Sequence, residues 1–225
     1  MTQTERREAV ARLLLASGAI QVGHKRPFVL AAGWASPVYV DCRRLLAEAD
    51  VRRDISSIAV DFIRDRFSAD AFDMVAGGET AGIPFATTLA DRLACRLGYV
   101  RKRPLGVGHN AQVEGGSVED RRVLLVDDLT TDGTSKLAFV RGLRAAGAVV
   151  EHALTIFYHD AFPGAEDRLR RAGVDLHPLA TWTDVLRVAG DGLSNKDRGI
   201  IEEFLSDPVA WSTAHGGRAQ SATSL

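Results

Sequence analysis

Asp127 and Asp128 stand side by side after the apolar run Val123-Leu124-Leu125-Val126, and Leu129-Thr130-Thr131-Asp132-Gly133-Thr134-Ser135 follows them directly. Two acids and then a hydroxyl-rich turn suit a ligand that carries both hydroxyls and a phosphate. A helix begins at about Lys136, so the turn's backbone N–H groups and the hydroxyls of Thr130, Thr131, Thr134 and Ser135 would sit at its positive end and cradle an anion. Gly133 allows the tight backbone. Carboxylates are poor neighbours for phosphate, so Asp127 and Asp128 require neutral hydroxyls or a cation that arrives with the ligand. A phosphorylated sugar meets both demands. A bare Thr-Asp-Gly-Thr is a common turn and N-cap; the full run is more specific, and no G-x-x-x-x-G-K-[ST] P-loop accompanies it.

Two more strand ends carry chemistry. Val75-Ala76-Gly77-Gly78-Glu79-Thr80-Ala81-Gly82-Ile83-Pro84 places three glycines before a helix whose early Pro84 suits a first turn, so backbone could approach an anion there. Tyr99-Val100-Arg101-Lys102-Arg103 is followed by residues 104–120, with Gly106, Gly108, Gly115, Gly116 and little apolar content. That is too long for an ordinary connection and reads as a mobile lid that keeps water from a reaction.

These groups need a scaffold, and the apolar pattern supplies one. Val10, Leu13 and Leu14 give a helix from Glu5 to Ser17; Phe28 to Cys42, broken by Gly33 and Pro37, reads as two short strands around a turn. Asp50 to Phe67 is the clearest amphipathic helix. From Asp73 onward short apolar runs alternate with helical patterns: Met74 to Ala76, Ile83 to Arg96, Tyr99-Val100, Val123 to Val126, Lys136 to Ala145, Val149 to Phe157, Ala165 to Arg171 and Val174 to Leu179. Such alternation predicts a parallel sheet covered on both faces, with ligands at the carboxyl ends of its strands. Lys196 to Leu205 reads as a C-terminal helix, and the polar stretch from His215 to Leu225 as a disordered tail.

Composition narrows the partners. With 225 residues, 46% hydrophobic and 25% charged, the chain can bury one substantial core. A formal net charge of -1 gives no global positive field to gather nucleic acid or an anionic membrane. The longest apolar stretches are far too short to span a bilayer, and the charges among residues 1–18 argue against a signal peptide. Cys42 and Cys95 are far apart, with no CxxC pair and no histidine at metal-ligand spacing, which fits two free thiols in a reducing cytoplasm.

Phe28-x-Leu30-x-x-Gly33-x-x-Ser36-Pro37-x-Tyr39-x-Asp41, GGETAGIP from Gly77, YVRK from Tyr99, NAQVEG from Asn110, VDDLTTDGTSK from Val126 and DPVAW from Asp207 occur in a fixed order. Together, over about residues 13–217, they resemble the orotate phosphoribosyltransferases, in a divergent branch of the type I phosphoribosyltransferase family. The resemblance implies an α/β fold: a parallel sheet of about five strands with flanking helices and a small N-terminal hood. Residues 1–48 would form the first helix and the hood, 49–190 the core with a lid at about 103–120, 191–214 a helical segment, and 215–225 the tail. It implies transfer of the phosphoribosyl group of phosphoribosyl pyrophosphate (PRPP) to N1 of orotate in pyrimidine biosynthesis, with Mg2+ carried by PRPP near Asp127 and Asp128. Asp127 to Ser135, including Leu129 and Asp132, would bind PRPP together with Gly78, Glu79, Arg101 and Lys102. Ser36, Tyr39, Val40 and Thr131 would bind orotate. Arg101, Lys102 and Asp128 would be catalytic, and Lys102 would reach the neighbouring site of a cytoplasmic homodimer.

The chain also departs from that pattern. Leu105 occupies the place of a lid lysine, Val107 that of the lid histidine with His109 two residues along, and Ala31 and Ala81 those of two further lysines. Tyr158-His159-Asp160-Ala161 lacks the arginine expected after the fourth strand. Backbone amides of the hairpin remain to meet the orotate carboxylate. A PRPP-binding regulator or low-activity paralogue, and a phosphoribosyltransferase for another base, are the alternatives.

Overall fold

A computed structural model describes residues 1–104 and 112–219. Helix α1 (Gln3–Ala16) starts on a capping box, in which the Thr2 hydroxyl accepts from Glu5 N–H and the Glu5 carboxylate accepts from Thr2 N–H. The segment read as a single hairpin divides between two small sheets. Strand β1 (Ile20–Val22) is followed by β2 (Phe28–Val29), β3 (Ala35–Ser36) and β4 (Val38–Val40); β2 pairs with β3, whereas β4 turns back to pair with β1. A short 3-10 turn, Cys42–Leu46, leads into α2 (Ala49–Arg66), which buries Ile55, Ile58, Ala59 and Ile63.

The core then runs β5 (Met74–Gly78), α3 (Gly82–Leu93), β6 (Arg96–Val100), β7 (Val113–Glu114), β8 (Arg122–Thr130), α4 (Thr134–Ala145), β9 (Val149–Tyr158), α5 (Ala165–Arg171) and β10 (Asp175–Thr181). Three helices close the chain: α6 (Trp182–Val188), α7 (Asn195–Ser206) and α8 (Pro208–Ala214). The sheet order is β10-β9-β8-β5-β6-β7, with the first five strands parallel, as expected, and β7 added antiparallel at the edge.

Alternation along the strands makes two apolar layers. Leu124, Val126, Leu154 and Ile156 join α1, α2 and α3 on one face, while Val123, Leu125, Val150 and Ala153 meet Phe139, Val140 and Leu143 of α4 on the other. The chain leaves β5 toward β6 and returns on its other side as β8, so the carboxyl ends of β5 and β8 diverge at a switch point.

Two expectations change here. β8 continues beyond Val126 through Thr130, because Asp127, Leu129 and Thr130 keep register with Thr155, Phe157 and Tyr158 of β9. The stretch read as a lid over 103–120 is in part fixed to the sheet: Val113 pairs with Val100, and Val118 is buried in the α4 layer. Leu105, Val107, His109 and Asn110 lie outside the described residues.

Candidate active site

A cavity of about 700 Å3 opens at the switch point. One wall is the end of β8 and the start of α4, every residue from Asp127 to Lys136; the opposite wall is Ala31 to Gly33 with Tyr39 and Val40, and Glu79 to Ala81 with Lys102 close a third side. That volume is ordinary for a small-molecule site.

The acidic pair is unequal. Asp127 is 7% exposed, and its Oδ2 accepts from Lys136 Nζ at 2.5 Å; the same ammonium donates to the Leu129 carbonyl. Burial and then the adjacent Asp127 charge push the Asp128 carboxyl up to about 7, with Lys136 pulling the other way. Asp128 is thus the acid with charge to gain from a cation or a hydroxyl donor brought by a ligand.

Beyond the acids, Gly133 takes a left-handed conformation at φ 79° and turns the chain into α4, whose first N–H groups lack helical acceptors. Asp132 is 3% exposed, and its Oδ1 accepts from Thr134 N–H at 3.1 Å while Oδ2 lies 3.6 Å from Arg218 Nη1. The Thr130 carbonyl accepts from His159 N–H at 2.9 Å, which ties the turn to the end of β9. His159 itself is buried and accepts from Trp182 Nε1, and burial lowers its pKa to about 4, so Tyr158 to Ala161 support the turn with a neutral ring.

The structure brings Asp127 to Ser135, Glu79, Lys102, Tyr39 and Val40 together around one cavity, and leaves Ser36, Gly78 and Arg101 off its lining. Ser36 is fully buried, its Oγ donating to the Val38 carbonyl at 2.8 Å and accepting from Val38 N–H at 3.1 Å, so the hydroxyl shapes the bend between β3 and β4. Gly78 serves packing, since a Cβ there would lie 2.6 Å from the Phe139 ring of α4. The Arg101 guanidinium is drawn to Glu114 of β7 at 3.2 Å and stacks over Tyr99. Lys102, expected to serve a neighbour, lines the cavity of its own chain and donates its backbone N–H to Glu79 Oε2 at 2.9 Å.

Three cationic lining residues, Arg43, Lys136 and Arg218, went without a role in the sequence reading. Lys136 appears there only as a helix start, although Phe139 and Val140, three and four residues on and both buried, share its helix face and are a cue for burial. Arg218 falls in the polar stretch read as a disordered tail, yet residues 215–219 are placed, and Arg218 reaches the cavity. Cys42, the thiol nearest these groups, is fully buried, and burial raises its pKa well above the usual thiol value.

A parallel α/β sheet with acids and a phosphate-sized helix start at its switch point defines a class. Residues 43–172 match the phosphoribosyl transferase domain. The chain is 45% identical over 212 residues to orotate phosphoribosyltransferase of Sinorhizobium fredii (strain NBRC 101917 / NGR234), covering 93% of this chain and 91% of that protein. The crystal structure of orotate phosphoribosyltransferase from Aeropyrum pernix superimposes with a TM-score of 0.69 at 36% identity, covering 82% of this chain and 99% of that one. Leishmania donovani UMP synthase shares the fold at a TM-score of 0.76 and 24% identity, over 88% of this chain but only 42% of that longer chain. This chain belongs to the orotate phosphoribosyltransferase family.

Proposed function

We propose that the cavity joins C1 of the PRPP ribose to N1 of orotate, giving orotidine 5'-monophosphate and pyrophosphate. The observation that carries this reading is the meeting of Asp128, the first turn of α4 and the Tyr39-Val40 wall around one cavity. The N1–C1 bond forms as the C1–O bond to pyrophosphate breaks, the leaving group taking the electron pair and orotate having given up its N1 proton. The turn from Thr130 to Ser135 holds the 5'-phosphate, and Asp128 accepts from the ribose hydroxyls. Thr131, Tyr39 and Val40 flank the base, while Glu79, Thr80 and Lys102 lie on the pyrophosphate side. Catalysis on this reading is positioning and charge stabilisation.

Mg2+ fits as a passenger of PRPP. Among the described residues no group of three or more histidine, cysteine or acidic side chains could hold a metal alone, but Asp128, half-buried and raised in pKa, gains from a cation on the substrate. The ion would neutralise pyrophosphate charge, with Asp128 and Glu79 facing it.

The reading includes a twofold dimer in a reducing cytoplasm. Arg101 lies off the lining of its own cavity, held by Glu114 at 3.2 Å with Glu79 at 4.0 Å, and on this reading it exchanges those partners for the neighbouring subunit's pyrophosphate; both cysteines are free. No helix among the described residues is long and apolar enough to cross a membrane.

The test is an assay of the purified chain with PRPP, Mg2+ and orotate, following orotate loss and nucleotide formation, with uracil, adenine and hypoxanthine in parallel. Orotate is expected to be the preferred acceptor. PRPP binding without turnover would instead favour a regulator, for which Leu105 is the sequence feature, and turnover with another base would reassign the acceptor.

A further inference from the structure

We propose that Arg218, carried from the C-terminal segment onto the hood, binds the carboxylate of orotate and sets the preference for a carboxylated pyrimidine. The inference rests on the orotate reading above. Orotate differs from uracil by that carboxylate, which calls for a cation or N–H donors.

Among the described residues four cationic side chains line the cavity, Lys136, Arg43, Lys102 and Arg218, and the first two are paired with neighbouring carboxylates. Lys136 is held by Asp127 and the Leu129 carbonyl. Arg43 donates through Nε to Asp41 at 2.6 Å and through Nη2 to the Tyr39 hydroxyl at 3.1 Å. Lys102 stands beside Glu79, at the end of β6. Positions 31 and 81 are alanines, and residues 158–161 contain no arginine.

Arg218 is held against the hairpin wall by several bonds. Ser212 Oγ accepts from Ala35 N–H at 3.0 Å and donates to the Arg218 carbonyl at 2.8 Å. Arg218 N–H donates to the Gly33 carbonyl at 3.0 Å, and Nη1 donates to the Ala32 carbonyl at 2.7 Å. A Cβ on Gly217 would overlap the Ala35 backbone, so only glycine lets the segment lie so close. The guanidinium is one-third exposed, with Asp132 Oδ2 at 3.6 Å from Nη1. Among the described residues Nε and Nη2 have no acceptor, which leaves a two-donor edge of the fork for a carboxylate. Asp132 Oδ2, buried without a hydrogen-bond donor, has the Arg218 guanidinium as its ion-pair partner.

The experiment compares wild type, Arg218→Ala and Arg218→Lys in steady-state kinetics with orotate, uracil and PRPP, alongside circular dichroism and thermal melts. Arg218→Ala is expected to raise the orotate KM by about 10- to 100-fold and to shrink the orotate-over-uracil preference by a similar factor. The PRPP KM and the melt should stay close to wild type, and Arg218→Lys should restore part of the loss. An unchanged orotate KM, or a PRPP KM that rises in step with it, overturns the assignment while leaving the enzyme reading intact. A wild-type chain that turns over PRPP only with another base overturns both.

Discussion

Asp128 carries a conflict that can be measured. Its carboxyl is raised to about 7 by burial and by Asp127, against an ordinary aspartate value of 3.8. A raised acid is protonated in the folded state over a window where the unfolded chain has already lost its proton. Stability of the ligand-free protein therefore falls as pH rises from about 4 and levels off above about 7. Asp128→Asn removes that slope: its melting temperature should match wild type near pH 4 and exceed it by several degrees near pH 8. The same change should lower kcat/KM for PRPP by roughly 10- to 100-fold, because an amide accepts ribose hydroxyls less strongly than a carboxylate. A variant neither stabilised at high pH nor slowed would remove Asp128 from the site. The acids and the hydroxyl turn were legible because they are contiguous. Arg218 was not, since its anchors at Ala32 and, through Ser212, at Ala35 are 186 and 177 residues distant in the respective bonds. Ser36 misled for the opposite reason: its place in a motif says nothing of the bend that consumes its hydroxyl.

Elements place these side chains through close approaches at glycines, and β5 against α4 is one that can be tested. Gly78 ends β5, and the ring of Phe139 on α4 occupies the space a side chain would need. Gly78→Ala should push α4, whose first turn faces the cavity, outward. We expect a loss of ~1–3 kcal/mol in urea unfolding and a larger rise in KM for PRPP than for orotate. Phe139→Leu in the same chain should recover part of both; if it recovers neither, Gly78 acts by some other route. The parallel strands were readable because β5 and the first half of β8 are buried on both faces and so appear as short apolar runs between turns. The polar second half of β8 looked like loop, and its pairing with β9 is a register that composition does not encode. β7, two residues beside glycines, left no periodic trace at all.

At the scale of the molecule, Arg101 and Lys102 stand differently to the cavity. Lys102 lines the cavity of its own chain, whereas Arg101 is paired with Glu114 outside that lining. In a twofold dimer with shared sites, a residue acting in its own chain and one acting across the interface respond differently to mixing. Arg101→Ala and Asp128→Asn chains, each first assayed alone for its residual activity, are unfolded and refolded together at equal amounts, and activity above those residuals is read. Half the dimers are then mixed, and each mixed dimer holds one site with Asp128 from one chain and Arg101 from the other. About a quarter of wild-type activity should return. Lys102→Ala mixed with Asp128→Asn should return none, because each cavity keeps the lysine of its own chain. Restoration with Lys102→Ala but not with Arg101→Ala would exchange the two roles. Failure of both mixtures, with mixed dimers shown by mass, would mean that each chain builds its site alone.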